Sequence, residues 1–247
     1  IPAASPVHTH AAQATSGAGG GVSIAGSLAL NLSDTTGTAV IRSGTALDLS
    51  GAGAVTLTAE DNSAGSAVAQ PTGIGAVSAG SVGVGASVAL NIANNTTLAE
   101  LADSATITNA GNLALAATSD NFAMTSAKAG GTAGGSGVGI GGAFATAVVN
   151  NITAADIGTG GTLALGGALS AVATHKGSAI TTADGTAGGG AAGVGAVLGL
   201  NVVSDLTTAT TARNLTVGGD LTFGAYNSGV STVDTKASAA GAKEEEA

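Results

Sequence analysis

The chain has 247 residues with 42 glycines, 2% aromatic and 9% charged residues, and neither cysteine nor tryptophan. Ordinary globular chains carry about 25% charged residues, so a helical bundle with a charged outer face is excluded, and a mean hydropathy of +0.44 excludes disorder of the highly charged kind. Six Lys and Arg against fifteen Asp and Glu give a net charge of −9 with no basic footprint for nucleic acid, and the lack of thiols removes disulfides and Cys-ligated metal sites.

Residues 1–10 form an N-terminal segment that holds Pro2 and Pro6. The first of four units spans residues 11–63. In it Val22, Ile24, Leu28, Leu30 and Leu32 share one side of a period-2 pattern, Asn31 closes Ser27-Leu-Ala-Leu-Asn-Leu32, and a Gly-centred turn occupies 49–55. The second unit, 64–123, contains an uncharged stretch from Gly73 to Ala93 that is long enough for a membrane helix. Five glycines and a period of 2 make it a strand instead, and no membrane insertion is expected. There Val84, Ala86, Val88, Leu90 and Ile92 oppose Gly83, Gly85, Ser87, Ala89 and Asn91, and Gly111 centres the turn before Leu113. The third unit, 124–178, repeats the order with Gly137-Val-Gly-Ile-Gly141, then Ala147-Val-Val-Asn-Asn151, then the Gly166-Gly167 turn. The fourth, 179–230, has Gly193-Val-Gly195, Val197-Leu-Gly-Leu-Asn-Val202 and the Gly218-Gly219 turn. Residues 231–237 start a fifth unit, and 238–247 form a small-residue, acidic linker ending in Glu244-Glu245-Glu246, so the chain reads as cut from something longer.

The marker asparagines Asn31, Asn91, Asn150 and Asn201 lie 60, 59 and 51 residues apart. Two markers recurring four times in the same order, with strand and turn signals throughout, predict an all-β parallel β-helix built from four repeats, each of about two rungs of ~25–30 residues. A four-bladed propeller is the alternative, but blades pack on aromatics that this chain lacks. The asparagines and Gly111, Gly166, Gly167, Gly218 and Gly219 are expected to be structural, as amides stacked at corners and as turn positions.

No motif carries chemistry. Gly137–Gly142 satisfies G-x-G-x-x-G, but a strand follows it rather than a helix. His8 and His10 would share a strand face without a third ligand, and aspartates such as Asp184 or Asp220 offer at most an incidental calcium contact. Glu60 and Asp61 would point to opposite faces of a strand, and Arg42, Lys128, Lys176, Arg213 and Lys236 are spread thinly. Neither a catalytic constellation nor a cofactor is expected. Thr56-Leu-Thr58 and Thr106-Ile-Thr108 have the spacing of a flat Thr row, without counterparts in the later units.

The Gly-Val-Gly strand with its Asn and Thr-containing tail, followed by a Gly-Gly turn, resembles the repeats of long bacterial surface proteins. These are the filamentous-haemagglutinin-like and leukotoxin-like adhesins with β-helical passengers exported by type V routes. The resemblance covers roughly residues 11–242 and rests on Gly139–Asn151, Gly193–Asn201, Asn94-Asn-Thr-Thr97 and the two Gly-Gly turns. The first unit departs from it, with Asp34-Thr-Thr36 in place of the Asn-rich step. The resemblance implies an extracellular, structural, non-enzymatic segment of a cell-surface fibre or adhesin, a stalk or filament that self-associates end to end or side by side. The alternatives are a solenoid face that binds glycan or ice, and a β-helical enzyme acting on polysaccharide.

Overall fold

The computed structural model of the protein describes residues 7–49, 51–71 and 77–241. Pro2, Pro6 and the Glu244–Glu246 run lie outside the described residues. Among those described, every regular element is a strand: β1 Val7–Ser16, β2 Ala18–Ile41, β3 Ala46–Asp48, β4 Val55–Pro71, β5 Val77–Leu101, β6 Thr106–Thr108, β7 Leu113–Ala133, β8 Val138–Ile157, β9 Leu163–Leu165, β10 Leu169–Gly188, β11 Ala192–Thr211, β12 Leu215–Val217 and β13 Leu221–Ala240. The stretch expected to avoid a membrane helix is strand from Val77 onward.

All the pairing is parallel between strands one repeat apart, which is the signature of a β-helix and rules out antiparallel propeller blades. β1, β4, β7, β10 and β13 stack as one broad wall, and β2, β5, β8 and β11 as the other. The short strands pair β3 with β6 and β9 with β12 to close the corner. Each repeat is therefore one rung and not two. Two strands of about twenty residues run out and back, and a three-residue strand turns the chain to the next rung. β1 already pairs with β4 from Val7, and β13 passes through 231–237 unbroken, so the fifth unit's expected start falls inside a strand.

A rung is wide at one end and thin at the other. At the wide end Leu101, Ile107, Leu113, Leu115, Ile157, Leu163, Leu165 and Leu169 fill the triangle between the two walls and the short third strand. At the thin end the walls meet through Gly and Ala, with Ala89, Ala127, Ala145 and Ala183 buried. A Cβ on Gly85 would overlap the Gly130 carbonyl oxygen, and one on Gly141 the Thr186 carbonyl oxygen. Only glycine allows that approach.

The glycine turns stack at the corner. Gly167 N–H donates to Gly111 O at 2.7 Å, and Gly219 N–H to Gly167 O at 3.0 Å. A Cβ on Gly111 would overlap Ala52 O and one on Gly218 would overlap Gly166 O, so close stacking requires these residues. Arg213 clamps the other corner, where Nε donates to Gly158 O at 2.6 Å, Nη1 to Ala105 O at 2.6 Å and Nη2 to Ala102 O at 3.0 Å. One guanidinium thus ties its own rung to carbonyls of the two rungs before it.

Candidate functional site: a buried polar seam and two unlike outer faces

Between the wide and thin ends the interior turns polar. Strand alternation puts the odd-numbered residues of β5, β7, β8 and β10 inward, where most of the polar ones pair with each other, while Thr97 Oγ1, Thr125 Oγ1 and Asn121 Oδ1 are buried without a partner. Asn91 is fully buried. Its Oδ1 accepts from Asn31 Nδ2 at 2.8 Å, and its Nδ2 donates across the gap to Gly65 O at 3.1 Å and Met124 O at 3.2 Å. Asn201 does the same two rungs on, donating to Ala179 O at 3.1 Å and Thr232 O at 3.0 Å and accepting from the Thr181 hydroxyl. These amides sit in the middle of long strands, not at corners, and they tie wall to wall.

The third marker is placed differently. Asn91 lies beside Ala147, while Asn150 lies beside Asn94 and faces solvent. The register instead aligns Gly83 with Gly139 and Gly85 with Gly141, because these glycines must all face the opposite wall's carbonyls. The continuous amide ladder runs one step further along. Asn95 Nδ2 donates to Asn151 Oδ1 at 2.7 Å, and Asn151 Nδ2 donates to Asp205 Oδ1 at 2.7 Å. The doublets Asn94-Asn95 and Asn150-Asn151 were its sequence signal, since one member of each must point inward.

Facing this ladder, the opposite wall supplies Asp61, Ser63, Ser119, Asn121 and His175, all buried. Asp61 is the partner of Asn121 Nδ2 at 3.2 Å, and the Thr35 hydroxyl lies 2.9 Å away. His175 Nδ1 is 2.7 Å from Ser119 Oγ, and its Nε2 is 3.4 Å from Asp205 Oδ1. Nε2 is also 3.4 Å from Asn151 Nδ2, so it has a carboxylate acceptor and an amide donor at the same distance, and the Ser119 hydroxyl pairs with Nδ1 in either tautomer. Burial lowers the pKa of His175 from its ordinary 6.5, against the opposing pull of Asp205 and Asp120, and the ring is neutral near pH 7.

Ser119, His175 and Asp205 have the composition of a nucleophile triad with the ring reversed. A working triad sets the serine on Nε2 and the carboxylate on Nδ1. Ser119 is also bonded to Thr153 Oγ1 at 2.6 Å and is 2% exposed, so its hydroxyl is enclosed within the seam. A cavity of about 260 Å³ does reach Asp205 and Asn151, lined further by Gly177, Ser178 and Ser231 at the last rung. Ser119 and His175 do not line it.

The other candidates are scattered. His8 and His10 lie beside Ser63 and Gly65, and among the described residues no three of His, Cys, Asp or Glu gather around a metal position. Asp184 is in mid-strand between Lys128 and Lys236, whereas Asp220 lies in the turn before β13. Glu60 points outward and Asp61 inward. The neighbours of Thr56 and Thr58 are Ala114 and Ala116, so no Thr row forms. Gly137–Gly142 runs into β8, where Gly139 and Gly141 serve the close approach of the walls.

The two outer faces differ in kind. The β1–β4–β7–β10–β13 wall is mixed: Ser, Thr, Asn and charged rows such as Lys128–Asp184–Lys236 stand beside exposed Phe122, Met124, Ile180, Tyr226 and Val230. The β2–β5–β8–β11 wall presents the bulky side of its alternation to solvent, with Ile24 74%, Leu28 67% and Leu198 54% exposed. Comparison with protein-family models, curated proteins and solved structures returns no match for the chain.

Proposed function

We propose that the chain is a structural, non-enzymatic segment of a bacterial cell-surface fibre or adhesin. The reading rests on one observation above the others: four rungs stack as parallel strands in register, with amide, glycine and carbonyl contacts passing from rung to rung, a geometry that a further rung would extend. Among the described residues, β1 and β2 at one end and β11 and β13 at the other pair on one side only, which leaves their other side open to it. The resemblance of the repeats to surface adhesins supplies the extracellular setting. The seam supports a mechanical role, because Asn91 and Asn201 bond from one wall to the other and hold their spacing.

The proportions refine the picture. At about 4.8 Å per rung the stack advances only about 20 Å, whereas a twenty-residue strand spans about 66 Å. The segment is therefore a broad blade, better suited to offering faces than to gaining length. Antibody raised against the chain should label the surface of intact source cells, along fibres visible in the electron microscope. Labelling only after cell lysis would overturn the proposal.

A further inference from the structure

We propose that the apolar outer face of the β2–β5–β8–β11 wall is a lateral docking surface for a second copy of this chain. The fibre reading provides the setting, and the geometry provides the partner. Segments 22–32, 82–92, 138–148 and 194–202 contain no charged residue. They lie side by side in register. About eleven residues of strand by four strands is about 36 by 19 Å, or about 700 Å² per copy. A standard protein–protein interface buries about 800 Å² per partner.

The relief of the face selects a copy of itself. Ala86, Gly142 and Ala196 form a row of small residues running along the solenoid axis. Beside it stands a ridge of Val88, Phe144 and Leu198, and the space over the row is about 310 Å³. Row and ridge are two residues apart, about 6.6 Å. A two-fold axis parallel to the solenoid axis and midway between them sets each ridge into the partner's row. Groove and ridge are thereby both used, as an isologous contact requires, and the two solenoid axes remain parallel. The net charge of −9 opposes the contact until salt screens it.

Sedimentation velocity at about 1 to 100 µM tests this, a range that spans interfaces of this size. The wild type is expected to dimerise, more strongly as salt rises. Val88→Asp, and the milder Leu198→Ser, should weaken dimerisation about 100-fold and about 10-fold with circular dichroism unchanged, while Thr174→Asp on the opposite wall should not. The chain has no cysteine, so single-cysteine variants report the geometry directly. A short bismaleimide should join Ala86→Cys to Val88→Cys in a mixture faster than it joins either to itself. A folded monomer at about 100 µM would overturn the proposal, as would a dimer indifferent to Val88→Asp, which would place the contact at the strand edges. A monomer that floats with neutral phosphatidylcholine vesicles would overturn it in favour of lipid. None of these results touches the surface-labelling test, so failure here leaves the structural reading standing.

Discussion

The two ends of a rung are built by the same strands with opposite chemistry. β7 begins with Leu113 and Leu115 in the wide corner and ends with Ala127, Ala129 and Gly131 in the thin edge, all on its inner side. β5 runs the other way, from Gly83 and Gly85 at the edge to Ala99 and Leu101 at the corner. The gap between the walls decides which residues fit. Where a third strand props the walls apart, leucine fills the space. Where the walls touch, only glycine and alanine enter, and the bulky half of the alternation is left outside. The buried side of a strand here is the side that fits, even where the other side is more apolar.

This contrast is open to direct attack, most severely at the thin end. Gly85→Val puts a branched side chain onto the Gly130 carbonyl. Because the obstacle is backbone, the loss should exceed the usual range for overpacking, at about 4 kcal/mol in chemical denaturation. A loss under about 1 kcal/mol would show that the walls separate easily. At the wide end Leu115→Ala leaves a cavity among packed leucines and should cost about 3 kcal/mol. If Leu115→Ala proves the milder change, as expected, packing is less forgiving at the edge than in the corner.

The seam between the two ends should respond less. Asn91→Leu leaves Asn31 without its acceptor and loses two bonds to the opposite wall, for about 2 kcal/mol. Unchanged melting would show that the amide row does not hold the walls. His175 adds a pH dependence. Its folded-state pKa is depressed by burial, so the unfolded chain binds the proton more readily. Stability is then full above the ordinary value of 6.5 and falls as pH drops through it towards the folded-state pKa, by at most about 1.4 kcal/mol per pH unit. Melting profiles between pH 5 and pH 8 should show the fall in the wild type, and His175→Gln should flatten it.

The smallest effect is expected on the outer surface. Glu100 lies directly beside Asp156, and burial together with Asp156 and Asp103 raises its pKa. Glu100→Gln should stabilise by about 0.5 kcal/mol at neutral pH by removing a like-charge cross-strand pair. A destabilisation would mean that Glu100 has a stabilising contact of its own.

The alternation and the recurring glycine turns made the all-β solenoid legible, because strand phase and turn chemistry are local properties. The number of rungs per repeat was not legible. Nothing local distinguishes a strand of twenty residues from two short ones joined at an asparagine, and Asn31 and Asn91 proved to lie in mid-strand. The third marker went to Asn150 for the same reason. Its local context matches that of Asn91, yet register is set by which glycines must meet the opposite carbonyls, and that requirement exists only once the walls are packed. Ser119, His175 and Asp205 come from three different strands of two rungs, and only the stacking brings them together.

The sequence by itself determined that the chain is strand and turn, that it repeats four times, and that each strand has one bulky side and one small or polar side. Tertiary structure alone decided which side is inside. A period of two is symmetric under exchange of the faces, and the usual preference for burying the larger apolar residues yields here to the width of the gap. Two walls brought into contact through glycine and bridged by asparagine leave no volume for Val88 or Leu198, so these remain on the surface.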